Sequence, residues 1–179
     1  MKSKITLLFL AIMVMISCSK NNVDESIEES YNIIGVPGQI DDGILGEDQN
    51  LYEDDLLAGQ TIDAGTLTVD LVDGEVVVTY TTDSDWVIVV THLYVGDLAD
   101  LPTNGAGNPQ IGHFPYGETL PAGTTEATYT TITLEEGECV YVAAHAEVVN
   151  TVTGQTETAW AAGVPIGGNS WAMMFEICN

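Results

Sequence analysis

The sequence predicts an all-β fold, a single antiparallel β-sandwich of about seven strands spanning residues 58–179. Three observations predict it. Short runs rich in Val, Thr, Tyr and Ile alternate apolar with polar positions, turn residues punctuate these runs at regular intervals, and no segment carries a sustained helical period.

Leu67, Val69 and Leu71 alternate with Thr66, Thr68 and Asp70; Asp73-Gly74 is a tight-turn signal, and Val76, Val78 and Tyr80 alternate on the return, so this stretch is a hairpin. After Asp83-Ser84-Asp85, Trp86 to Val95 is apolar at nearly every position, which predicts a central strand covered on both faces. A long loop of Gly, Pro and Asn follows from Gly96 to Pro115. Thr124 to Leu134 reads as a Thr-rich strand, and Glu135-Glu136-Gly137-Glu138 turns the chain into Cys139 to Val149, a second central strand. Thr151 to Gln155 turns again, Thr156 to Ala161 is a short strand, and Ser170 to Ile177 closes the series. This number and spacing suit a sandwich of immunoglobulin-like or jelly-roll type, and one domain of this length buries a sufficient core.

The N-terminal third reads differently. Lys2 and Lys4 precede Ile5 to Ile16, in which Thr6 alone is polar, and the apolar run stops at Ser17-Cys18. That is the layout of a secretory leader, residues 1–17, and the run falls short of the ~20 apolar residues that span a membrane. The position of Cys18 resembles the lipidation site of a bacterial lipoprotein; the alternative is an ordinary signal peptide cleaved elsewhere. Several acyl chains on Cys18 would make membrane attachment effectively permanent. Ser19-Lys20-Asn21-Asn22-Val23-Asp24-Glu25 is similar to the short polar and acidic stretch that sends Bacteroidetes lipoproteins to the cell surface, which implies an outer-membrane lipoprotein facing the exterior. Residues 18–57 then form an acidic tether, because eleven acids and scattered single hydrophobics leave too little to bury against chain entropy.

No Lys or Arg follows Lys20, while all 27 Asp and Glu lie beyond it, for a formal net charge of −24. Nucleic acid and anionic membrane surfaces are opposed electrostatically, since their recognition rests on basic side chains that neutralise phosphate.

With Cys18 assigned to lipid, Cys139 and Cys178 remain as a pair in an exported chain, and a disulfide is the economical reading; two free buried thiols are the alternative. Asp63, Asp83, Asp85, Asp97 and Asp100 fall at strand ends or in loops, where carboxylates and free carbonyls suit calcium. A hydrated acidic coat is the competing reading. His92 and His145 occupy the two most apolar runs, and if those strands pair the imidazoles meet; with Glu157 they would make a zinc site of two nitrogens and a carboxylate. Partly buried histidines bonded to backbone or hydroxyls are the simpler account. Of the three tryptophans, Trp86 and Trp171 alternate with core positions, whereas Trp160, with Glu157 and the loop residue His113, is the candidate contact for a ligand such as a sugar ring. Ser84 and Ser170 lie in no Gly-x-Ser-x-Gly elbow, and no carboxylate pair is singled out for glycoside hydrolysis, so the chain reads as no enzyme.

Six segments, in order, resemble a module that recurs, often in tandem, in secreted and cell-wall proteins of bacteria, archaea and some fungi. They are Ala58-Gly59-Gln60-Thr61-Ile62-Asp63-Ala64-Gly65-Thr66, Thr91-His92-Leu93-Tyr94-Val95-Gly96, Gly107 to Tyr116, Ala143-Ala144-His145-Ala146, Glu157-Thr158-Ala159-Trp160 and Trp171-Ala172-Met173-Met174-Phe175. The resemblance covers about two thirds of the chain and implies a β-rich, exported, non-catalytic building block. The single copy on a lipid anchor departs from the tandem arrangement. Together these readings describe a surface lipoprotein whose domain is a binding or adhesion module, its loop from Gly96 to Pro115 and the turn near Trp160 meeting an extracellular glycan or an envelope protein. The alternatives are a structural subunit of an envelope complex and a small polysaccharide hydrolase.

Overall fold

The structure, a computed structural model, describes residues 48–83 and 85–179. The residues read above as leader, as lipidation site (Cys18) and as tether up to residue 47 lie outside the described residues. Within them the chain forms β1 (Gln49–Ala58), β2 (Ile62–Val72), β3 (Glu75–Thr82), β4 (Trp86–Gly96), β5 (Glu126–Thr133), β6 (Cys139–Asn150), β7 (Thr156–Ala161), β8 (Val164–Pro165) and β9 (Met173–Cys178). Two 3-10 turns, η1 (Leu98–Asp100) and η2 (Ile111–His113), interrupt the long loop after β4. The seven runs read as strands each coincide with a strand; β1 and β8 are additional. Strand β1 occupies positions read above as the end of the tether.

All strand pairings are antiparallel, and they join into one sheet in the order β5-β3-β2-β1-β7-β6-β9-β8, with β4 beside β6. The β2–β3 hairpin closes with Val72 opposite Glu75, and Asp73 (φ 51°) and Gly74 (φ 81°) both take the positive φ that a two-residue type I′ turn requires. Strand β6 organises the other half. One edge carries β4 from Trp86 to Gly96, and the opposite edge is shared by β9, along Cys139 to Val142, and β7, along His145 to Val149. Cys139 and Cys178 face each other in this register and are joined by a disulfide, S–S 2.03 Å.

The outer edge of β4 is also occupied. Leu93 donates its N–H to the Tyr116 carbonyl (2.8 Å), Thr91 to Glu118 (3.0 Å) and Ile88 to Thr124 (2.8 Å), while Leu120 donates to the Val89 carbonyl (2.8 Å). The same chain then continues as β5 along β3.

Alternation sorts the side chains. Leu67, Val69, Val76, Val78 and Tyr80 from β2 and β3, Ile88, Leu93, Val142, Ala144 and Val148 from β4 and β6, and Ala159 and Ala161 from β7 point to one buried cluster, following the period of two, with the parity of β4 changing at the register shift between Ile88 and Val90. Full burial of a residue such as Leu67 or Val78 contributes about 1.5–3 kcal/mol. Tyr52 of β1 stacks on Phe175 of β9, ring centres 3.5 Å apart, and donates its hydroxyl proton to the Ala162 carbonyl (2.6 Å), which ties the first strand to the last.

Candidate functional site

The opposite parity of β4, β6 and β7 builds a second cluster on the reverse face of the sheet. Thr91, Leu93 and Val95 point into the main core, so His92 and Tyr94 point out; Val142, Ala144 and Ala146 point in, so Ala143 and His145 point out; Ala159 and Ala161 point in, so Trp160 points out. Register then aligns them. His92 lies opposite His145, and His145 lies opposite Trp160 on its other side, so the three side chains form one row across three strands. The imidazole centres are 5.6 Å apart, and His145 meets the Trp160 indole edge-on at 4.9 Å.

Chain from outside the sheet covers this row. Leu101, Ile111 and Phe114 come from the loop after β4, and Ile166, Trp171 and Ala172 come from the segment between β8 and β9. Phe114 packs against Tyr94 (5.9 Å) and edge-on against Trp160 (6.5 Å). The Asn104 side-chain oxygen accepts from the N–H groups of Ala106 and Asn108, and the Asn108 oxygen accepts from the N–H of Asn169 (2.7 Å), which fastens one covering segment to the other. Tyr94 donates to the Asp97 carbonyl (2.5 Å); burial, then the nearby Asp100 and Asp97 charges, raise its pKa.

His145 is the polar exception in this apolar setting. It is 2% exposed, and its Nδ1 is buried without a hydrogen-bond partner. Leaving such an atom unpartnered costs about 1–3 kcal/mol. Burial first, and the neighbouring His92 second, push the pKa of the ring down to about 4, so the imidazole is neutral at physiological pH.

Several sequence-based expectations change here. The pairing of the two apolar strands does bring His92 and His145 together. Glu157 does not join them, because it stands opposite Val148 and therefore on the main-core side of the sheet, where its carboxylate lies beside Gly59 and accepts from the Gln155 amide (2.9 Å). The carboxylate on the histidine face is Glu147, two residues beyond His145, a residue that sequence reasoning passed over although its parity marks it. Trp160 is not an exposed platform for a ligand; the covering loops leave it 5% exposed. His113 is exposed at the end of η2, next to the buried Phe114.

The five aspartates are dispersed. Asp63 lies in β2 and its carboxylate accepts the Gly65 N–H (3.1 Å), Asp83 and Asp85 flank the turn into β4, and Asp97 and Asp100 belong to the η1 turn. Among the described residues, no three His, Cys, Asp or Glu side chains gather as a group that could hold a metal ion. Compared with protein-family models, curated proteins and solved structures, the chain has no match.

Proposed function

We propose that this chain is an outer-membrane lipoprotein, anchored through Cys18 and displayed on the cell surface, whose β-domain is a non-catalytic binding or adhesion module for an extracellular glycan or matrix protein. One observation carries the reading. Five of the six segments that resemble the recurring module converge on the reverse face of β4, β6, β7 and β9, where their aromatic side chains underpin the long loop after β4. A rigid underlay that holds a surface loop in one shape is the usual construction of a recognition site. The exposed crest of that loop, around Gln110 and His113, is the contact surface.

The sheet is read as folded on itself into a sandwich. Residues 116–133 run first along β4 and then along β3, and side chains from both ends of the strand order meet in one core, which favours two layers over one open sheet. In that arrangement the loop after β4 lies outside one layer, free to meet a partner.

The test is a glycan and matrix-protein array probed with the full lipidated chain in vesicles, with and without calcium, beside a Gln110→Ala/His113→Ala variant. Binding that the variant loses while its thermal midpoint is unchanged is the expected result. A blank array, or binding indifferent to the double variant, refutes the assignment, and crosslinking to one envelope protein in its place would make the domain a structural subunit.

A further inference from the structure

The cross-strand pair His92 and His145 is the feature that the binding-module reading leaves unused. From it we infer a two-imidazole site for a late first-row divalent metal ion on the reverse face of the β4–β6 pair. The inference does not depend on any glycan or protein ligand.

Two observations support it. First, two imidazoles that share an ion at the metal–nitrogen distance of about 2.0–2.1 Å have ring centres roughly 5–6 Å apart. The observed separation is 5.6 Å, and it is fixed by strand register, since His92 and His145 are direct partners on adjacent strands. Second, the large majority of buried polar side-chain atoms have a hydrogen-bond partner, whereas Nδ1 of His145 is buried with none.

The chemistry of the donors selects the ion. Two imidazoles suit copper, zinc and nickel, while calcium and magnesium require oxygen ligands, and affinity rises towards copper(II) along the divalent series. Glu147 stands on the same face two residues from His145, but among the described residues no carboxylate, cysteine or further histidine gathers with the pair. The remaining coordination positions therefore fall to water or to a donor brought by an incoming molecule. Trp160 and Phe114 form an apolar wall beside the pair, and His92, only partly buried, gives the approach.

The test uses the full-length chain, stripped with chelator and titrated with copper(II) in millimolar calcium so that the many surface carboxylates are occupied. Frozen-solution electron paramagnetic resonance reads the ligands directly. One equivalent of copper with two equatorial imidazole nitrogens is expected. His92→Ala reduces the spectrum to a single nitrogen and weakens binding by at least about tenfold, the scale on which even second-layer partners of a metal site are felt. His113→Ala, at the exposed loop histidine, changes neither. His145→Gln is checked for folding by circular dichroism and, where folded, loses the site; His92→Ala decides the matter where it is not. An oxygen-only copper spectrum, or a two-nitrogen spectrum that survives His92→Ala, overturns the proposal.

Discussion

Removing the disulfide isolates one term in the stability of this domain. Cys139 and Cys178 are both exposed at the ends of β6 and β9, so a Cys139→Ser/Cys178→Ser variant disturbs almost no packing. What it releases is the unfolded chain. The bond closes a loop with a sequence separation of 39 residues, and the chain-entropy relation gives about 13 cal/mol/K for such a loop, or about 4 kcal/mol at 25 °C. The closed loop contains β7, β8 and most of β6 and β9, hence both the strands that pair with β6 on one edge and the segment that covers Trp160. Equilibrium urea unfolding of the oxidised protein and of the double variant measures the difference, with far-UV circular dichroism confirming that the sheet persists in the variant. A loss of less than about 1 kcal/mol refutes the reasoning, because it means that the unfolded ensemble gains little freedom when the bond is absent.

Three further outcomes follow from the same structure. Gly65 has φ +148°, and a Cβ there would lie 2.0 Å from the Thr81 carbonyl oxygen and 2.6 Å from Thr82 Cα, so Gly65→Ala forces β2 from β3 and costs roughly 3 kcal/mol or more in urea unfolding; a loss below about 1 kcal/mol contradicts the close approach. His145 titrates near 4 in the fold against 6.5 unfolded, so the unfolded chain takes the proton first: the stabilisation is complete above pH 6.5, is lost as pH falls towards 4, and amounts to roughly 3 kcal/mol. Measured in chelator against His145→Gln, the wild-type stability curve falls more steeply across that window, and parallel curves exclude the ring as the source. Because no Lys or Arg follows Lys20, exposed carboxylates repel without compensation, and the thermal midpoint rises by a few degrees between about 10 mM and about 500 mM sodium chloride; a fall contradicts the account.

The strands that could be read from the sequence are those whose alternation runs without interruption. Thr156–Ala161 and the β2–β3 hairpin fall where the pattern puts them, because period-two alternation and a two-residue turn are local signals. Strand β1 is concealed for a physical reason. Irregularities between Asn50 and Tyr52 and between Asp55 and Leu57 shift its register twice, so its exposed acids and its buried Leu56 and Ala58 share no single period. Strand β8 has two residues, too few for any pattern. The site was half legible. Alternation within β7 is enough to put Glu157 and Trp160 on opposite faces, and the same arithmetic along β6 selects Glu147 as the carboxylate that shares a face with His145. The burial of Trp160 is not a local property, since Phe114 and the segment around Trp171 are brought over it by long-range docking.

Register also gives the domain two unlike ends. Gln49 begins β1 opposite Leu71, close to the Asp73-Gly74 turn, and the stack of Tyr52 on Phe175 carries the end of β9, with Cys178 and Asn179, to that same end. At the far end lie the β1–β2 turn at Gly59–Thr61, the Asp83–Asp85 corner and the Asn150–Gln155 turn, where Val152 is 75% exposed and the Thr151 N–H binds the Asp85 carbonyl (2.7 Å). Strand length thus becomes separation: the three turns share one end, and a molecule that meets the domain there meets neither the disulfide nor the start of β1.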